Sequence, residues 1–310
     1  MIKAKPFIKW VGGKRQLIEQ LEALLPADFD KWKNVTYIEP FVGGGAMLFY
    51  MLQKYSNIKY AVINDINRDL TTCYEVIKLY PDILVDSLQD IQNQYYALKD
   101  EESKKEFYLQ MRAEFNTKKL DNIRNTTLFL FLNRTCFNGL YRVNKSGLFN
   151  VPFGKYERPT ICDPTTIYSD SKLLQKVEIL TGNYHQTFVK ATEKTLFYLD
   201  PPYRPINATS SFNDYSQEPF NDVEQKQLKN FCDKIHHGGR YFALSNSDCF
   251  TNSGDDFFEK LYGDYVIHRV QAVRNVNSIG SKRGQLSEIV VCNYAETKSM
   301  KNTQLELSLF

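Results

Sequence analysis

Asp200-Pro201-Pro202-Tyr203 sets a carboxylate, two residues without a backbone N–H and an aromatic ring directly after the run Thr195-Leu196-Phe197-Tyr198-Leu199. The run reads as a buried strand, and the prolines stop it at once. Residues just past the C-terminal end of a strand in an open α/β sheet face the ligand crevice. Asp200 offers acceptors only. The Pro201 carbonyl can accept a second hydrogen bond. Tyr203 supplies a flat surface. Two acceptors beside an aromatic plate suit the exocyclic amine of a planar base.

A second constellation lies earlier. Phe41-Val42-Gly43-Gly44-Gly45 precedes a helical pattern at 46–53. Glycines let a backbone approach a ligand where a Cβ would clash, and the helix start they open favours a carboxylate or phosphate. Asp65 ends the next apolar run and is placed to accept from ribose hydroxyls. A nucleoside-bearing cofactor fits this half, and a dinucleotide fits it equally well.

Both constellations need a sheet behind them. Strands are expected at 35–39, 60–63, 196–199, 241–244, 265–271 and 288–293, with a helix at 222–236 that begins on Asp222 and stops at Gly238-Gly239. Strand, glycine turn, helix, strand and acid in that order open a Rossmann-like unit. Residues 70–133 read mainly as helices. Residues 140–151 read as a hairpin turning at Asn144-Lys145-Ser146-Gly147. The middle of the chain is therefore expected to be an insertion between two halves of an α/β sheet.

Composition narrows the class. The chain has 310 residues, 43% of them apolar, which is ordinary for a globular protein. No apolar stretch approaches the roughly 20 residues of a membrane span. The opening Met1-Ile2-Lys3-Ala4-Lys5-Pro6 lacks the apolar core of a secretory signal. Cys73, Cys136, Cys162, Cys232, Cys249 and Cys292 form no CxxC pair, so reduced thiols in a cytosol are expected. The four histidines show no metal-ligand spacing, and no metal is expected. Net charge is only +3, but residues 103–160 hold eleven Lys and Arg against four Asp and Glu. Such a segment attracts a phosphate backbone.

The chain resembles the Dam-like DNA adenine-N6 methyltransferases, including those that modify GATC. The resemblance covers nearly all of residues 5–294. Pro6-Phe7-Ile8-Lys9-Trp10-Val11-Gly12-Gly13-Lys14-Arg15 is similar to the N-terminal cofactor motif, and Glu39-Pro40-Phe41-Val42-Gly43-Gly44-Gly45 to the glycine-rich motif. Asn64-Asp65-Ile66-Asn67 resembles the acidic loop. Phe137-Asn138-Gly139-Leu140-Tyr141-Arg142-Val143-Asn144 and Phe149-Asn150-Val151-Pro152-Phe153-Gly154 resemble the DNA-recognition segment. Asp-Pro-Pro-Tyr comes last, in the family's order.

This resemblance implies a Rossmann-like S-adenosylmethionine-dependent sheet, residues 1–69 and 160–298, with an inserted, mainly helical DNA-recognition domain at 70–159 carrying the hairpin. It implies cofactor contacts from Trp10, Lys14, Glu39, Phe41, Gly43, Gly45, Asp65, Asn183, Tyr184 and Asp200. Lys14 would pair with the methionine carboxylate. Asn183 stands where the family has an acid. Catalysis would fall to Asp200, Pro201, Pro202 and Tyr203, acting on adenine N6 in double-stranded DNA. DNA contacts are implied for Lys9, Phe137, Asn138, Leu140, Arg142 and Pro152. Arg142 would read a guanine, and Phe137, usually Tyr in the family, would wedge into the gap left by a flipped adenine. An RNA substrate, or a catalytically inactive DNA-binding relative, are the competing readings.

Residues 295–303 are polar. Gln304, Leu305, Leu307, Leu309 and Phe310 follow, with the leucines alternating so that an extended segment would place them on one face. This resembles the bacterial sliding-clamp-binding peptide. A docking tail at 299–310 is one expectation, and a strip packed on the protein's own domain the other.

Overall fold

The computed structural model describes residues 3–204, 220–273 and 285–294. Seven strands form one sheet: β1 (Val35–Glu39), β2 (Ile58–Asp65), β3 (Val177–Thr181), β4 (Thr195–Leu199), β5 (Tyr241–Ser247), β6 (Val266–Val273) and β7 (Gln285–Cys292). Their order is β3-β2-β1-β4-β5-β7-β6. β1 to β5 pair in parallel, and β7 pairs antiparallel with both β5 and β6. The order reverses between β1 and β4, so the crevice outside their carboxyl ends is where an open α/β sheet binds ligands. Glu39 and Asp200 both emerge there.

The parallel centre explains why β1 and β4 read as unbroken apolar runs. Every residue of both strands is buried, as expected for strands covered on two faces. Alternation divides them between two cores. Tyr37, Leu196 and Tyr198 join one cluster with the helices Ala46–Lys54 and Arg68–Leu79. Ile38, Phe197 and Leu199 join the other, beneath the helix Asp222–His237. Asn221, one residue before the expected Asp222, caps that helix in a capping box with Glu224.

β3 was not expected. It is an edge strand with only Val177 buried, so its five residues lack the apolar run that marked the central strands. The helical middle is present as Pro81–Ala97, Glu101–Phe115 and Asn122–Thr135. Its buried Leu88, Tyr108, Phe115 and Phe131 belong to the same cluster as Tyr37. The hairpin is looser than expected. The chain does reverse at 144–147, with Gly147 N–H donating to the Asn144 carbonyl at 2.8 Å. Only single antiparallel bridges form, Val143 with Phe149 and Cys136 with Phe153. Two backbone bonds join its arms, Asn144 N–H to the Leu148 carbonyl at 2.9 Å and Asn150 N–H to the Arg142 carbonyl at 3.1 Å, and side chains of a neighbouring helix and its cap take outward-facing backbone groups. Asn116 accepts from Phe149 N–H at 2.8 Å and donates to its carbonyl at 3.0 Å, while the Tyr108 hydroxyl donates to the Val151 carbonyl at 2.7 Å.

Among the described residues no helix is long and apolar enough to cross a membrane. All six cysteines are free and buried. Residues 295–310, with the tail motif, lie outside the described residues.

Candidate active site

Asp200 leaves the end of β4 beside a cation drawn from far away in sequence. Lys14 Nζ lies 3.2 Å from Asp200 Oδ1 and 3.5 Å from Glu288 Oε2, with the Lys14 side chain only 6% exposed. The same ammonium sits 4.1 Å from the centre of the Tyr203 ring, a cation–π distance. The Tyr203 hydroxyl donates to Glu288 Oε2 at 2.6 Å. Burial pushes the Asp200 carboxyl up to about 6; Lys14 opposes that shift and the Glu288 charge adds to it. The turn thus presents a partly desolvated carboxylate and an aromatic face to one N–H donor.

The glycine loop is shaped by what it covers. Gly43 has φ +49°, and a Cβ there would stand 2.9 Å from Trp10 Cδ1. Gly45 has φ +72°, and a Cβ would meet the Tyr74 hydroxyl at 2.4 Å. That hydroxyl donates to the Gly43 carbonyl at 2.9 Å. Asp65 ties the loop to the end of β2. Its Oδ2 accepts from Gly43 N–H at 3.1 Å and its Oδ1 from Asn67 N–H at 2.9 Å. Burial raises the Asp65 pKa, and those backbone donors hold it back. Each carboxylate oxygen keeps a further lone-pair site for a hydroxyl. Glu39 is buried, accepts from the Tyr37 hydroxyl at 2.6 Å, and is pushed up to about 8 by burial.

The expected cofactor residues gather along this edge. Phe41 packs on Tyr184 with ring centroids 5.0 Å apart. Asn183 caps the turn Tyr184–Lys190 by accepting from His185 N–H at 2.9 Å. Trp10 stacks on Tyr141 at 5.6 Å. Lys14, expected beside a cofactor carboxylate, has its ammonium among Asp200, Glu288 and Tyr203.

The residues expected to touch DNA share one segment. Phe137 is 50% exposed, Asn138 stands exposed with φ +55°, and Arg142 and Pro152 are exposed as well. Phe137 N–H donates to the Pro152 carbonyl at 2.9 Å, which joins the two halves of the segment. Arg142 Nε donates to Asn150 Oδ1 at 2.8 Å. Leu140 is half-buried against the larger core. Lys9 lies along Gly139, where a Cβ would come 2.4 Å from Lys9 Cδ. Buried Asn133 fastens this corner, accepting from Lys9 N–H at 3.0 Å and donating to the Gly139 carbonyl at 2.9 Å.

Sequence reasoning missed Glu288, although a charge opening the apolar run Ile289-Val290-Val291 is a signal. It also missed Gln225 and Asn246, two fully buried amides behind the Pro-Pro turn.

A reversed-order α/β sheet with a glycine loop, an acidic second strand end and Asp-Pro-Pro-Tyr at the fourth defines a methyltransferase of exocyclic amines. The chain belongs to the D12 class N6 adenine-specific DNA methyltransferase family, which its residues 10–276 match. Type II methyltransferase M.MjaIII of Methanocaldococcus jannaschii is 44% identical over 296 residues, covering 94% of this chain and 100% of that one. Type II methyltransferase M1.LlaDCHI of Lactococcus lactis subsp. cremoris is 34% identical over 298 residues, 94% of this chain and 96% of the relative. The DNA adenine methylase of Escherichia coli K12 is 30% identical over 290 residues, 94% and 95% of the two chains.

Proposed function

We propose that the protein methylates N6 of an adenine flipped out of duplex DNA at GATC, with S-adenosylmethionine as donor. One observation carries the reading. Lys14 Nζ holds an N–H donor 3.2 Å from Asp200 Oδ1 and 4.1 Å over the Tyr203 ring. The amine of an adenine stacked on Tyr203 presents the same kind of donor to the same oxygen.

The cleft fits a nucleoside with a charged amino-acid tail. Phe41 and Tyr184, packed on each other, offer an aromatic surface for a base, Asp65 has acceptor sites for ribose hydroxyls, and Lys14 is a cation for a carboxylate. When bound, the sulfonium supplies the methyl group as an electrophile and keeps the bonding pair of the broken bond. Asp200 and the Pro201 carbonyl accept hydrogen bonds from the two N6–H groups and draw the nitrogen lone pair out of ring conjugation. N6, cationic after transfer, gives its extra proton to the Asp200 carboxylate, which passes it to water. This is catalysis by position and preorganised charge. Tyr203 recovers by stacking part of the few kcal/mol that flipping costs. Residues 70–159 serve as the recognition insertion, with Arg142 on a guanine and Phe137 filling the gap in the duplex, while 1–69 and 160–298 carry the chemistry.

Transfer of labelled methyl to GATC duplex, scrambled duplex and RNA of the same sequence tests this. Labelled adenine in the GATC duplex alone is the expected result. Labelling of RNA, or none at all, refutes it in favour of the two competing readings.

The tail is proposed to dock on a sliding clamp through Gln304, Leu305, Leu307, Leu309 and Phe310, which raises the local concentration of enzyme on newly copied DNA. Deleting residues 304–310 is expected to abolish clamp binding in calorimetry and leave methylation of short duplexes unchanged. Full-length protein that does not bind the clamp overturns the idea.

A further inference from the structure

Asp200-Pro201-Pro202 has two consecutive peptide nitrogens without hydrogen, so the turn cannot be held through its own donors. It is held from behind by two side-chain amides, each 0% exposed. Gln225 Nε2 donates to the Pro202 carbonyl at 3.2 Å, Asn246 Nδ2 donates to Gln225 Oε1 at 3.2 Å, and Asn246 Oδ1 accepts from Arg204 N–H at 3.2 Å. The turn and the two amides close a ring of hydrogen bonds.

The polarity of this ring is fixed by the backbone. Asn246 Oδ1 also accepts from Ser247 N–H at 2.9 Å. A backbone N–H can only donate, so this end of the Asn246 amide must be its oxygen. Its nitrogen then faces Gln225, the Gln225 oxygen faces back, and the Gln225 nitrogen is left to face Pro202. Every choice but one opposes two acceptors or two donors. Among the described residues no hydrogen bond reaches the neighbouring Pro201 carbonyl.

We infer that Gln225 and Asn246 are positioning residues that lock the Pro202 carbonyl backward and so keep the Pro201 carbonyl aimed at the target amine. The inference rests on the proposed methyl transfer to N6. Asn246 lies within the buried stretch 242–247 of β5 and Gln225 in the first turn of the helix Asp222–His237. The aim of the turn is therefore referred to two elements of regular structure, a strand and a helix.

The test uses the full-length protein, the GATC duplex, and the variants Gln225→Met and Gln225→Glu. Gln225→Met keeps the volume and loses both hydrogen bonds. It is expected to lower kcat by roughly 10²-fold, the cost of a small misplacement of a reacting group, and to leave KM for duplex and cofactor unchanged. Gln225→Glu keeps the acceptor for Asn246 but turns a second carboxylate oxygen onto the Pro202 carbonyl. Its kcat relative to wild type is expected to rise as pH falls, because the protonated carboxyl can donate where the amide did. Wild-type kcat in Gln225→Met, a loss confined to KM, or a pH-independent ratio for Gln225→Glu overturns the inference. If Gln225→Met does not fold, the closer isostere Gln225→Glu carries the test through its pH ratio. Wild-type protein that methylates no duplex refutes the proposed function itself, so the two failures are told apart.

Discussion

Glu288 reaches Tyr203 across the sheet, accepting the tyrosine hydroxyl on Oε2 at 2.6 Å. The contact depends on topology. β7 runs antiparallel beside β5, so the residues that begin it lie near the carboxyl ends of the parallel strands. The result is two carboxylates, Asp200 and Glu288, around the single ammonium of Lys14. Glu288 thus holds the Tyr203 ring by its hydroxyl and adds negative charge beside Asp200.

That charge sets a pH dependence. Burial pushes Asp200 up to about 6, with Lys14 lowering the value and Glu288 raising it. The acceptor role proposed for Asp200 needs the carboxyl ionised, so the single-turnover rate is expected to fall as pH drops through about 6. Glu288→Gln removes a neighbouring negative charge, which makes ionisation easier and moves this acidic limb to lower pH. A limb that stays in place or moves upward in the variant contradicts the assignment.

Asp200→Asn tests the acceptor itself. The amide keeps the shape and one acceptor oxygen but loses the charge. A drop in kcat on the order of 10²–10³-fold is expected, the range for removing one preorganised electrostatic contact, with thermal melting within a few degrees of wild type. Activity within tenfold of wild type in the folded variant would sink the role.

How far this site was legible depends on the distance between partners. Asp200 and Tyr203 are neighbours on a turn whose strand is a buried apolar run, and that signal is local. The helix behind Gly45 and the acid ending β2 were legible for the same reason. Glu288 is 274 residues from Lys14, and only the antiparallel return of β7 brings them together. Gln225 and Asn246 look like surface amides in sequence, because nothing local marks their full burial. β3 escaped notice as a half-exposed edge. The hairpin was overdrawn because its arms share only the backbone bonds around Val143 and Phe149, while Asn116 and Tyr108 fasten it to a neighbouring helix.

Arg142 carries the next prediction. Its guanidinium is exposed and oriented by Asn150, with Nε on Oδ1 at 2.8 Å and a second contact to the Asn150 carbonyl at 3.3 Å. That leaves an edge of the fork for guanine O6 and N7. Arg142→Ala is expected to cost about 1–3 kcal/mol against the correct site and to relax preference at one base pair. Asn150→Ala should weaken the same discrimination by less, about 0.5–1.5 kcal/mol, the net worth of an orienting hydrogen bond. Equal weakening on every DNA sequence would make Arg142 a phosphate contact instead.

Asp170 tests stability apart from catalysis. It is 0% exposed in the helix Pro164–Leu174, accepts from Lys5 N–H on Oδ1 at 3.1 Å, and its Oδ2 has no hydrogen-bond partner among the described residues. Burial pushes its carboxyl up to about 8; the Lys5 N–H opposes that and the Asp163 charge adds to it. A folded-state pKa above the unfolded one means that the folded chain holds a proton the unfolded chain has already lost. The stabilising contribution is complete below the ordinary carboxylate range and is lost as pH rises toward about 8. Asp170→Asn mimics the protonated form and cannot ionise. It is expected to match wild type only near the ordinary carboxylate pKa, at about pH 4, and to exceed it by a margin that grows as pH rises toward about 8, by on the order of 1 kcal/mol per pH unit, read from urea unfolding across that range. Because other buried groups titrate in both proteins, the difference between the two curves isolates Asp170. Parallel pH slopes would show that its buried oxygen is solvated by some other route.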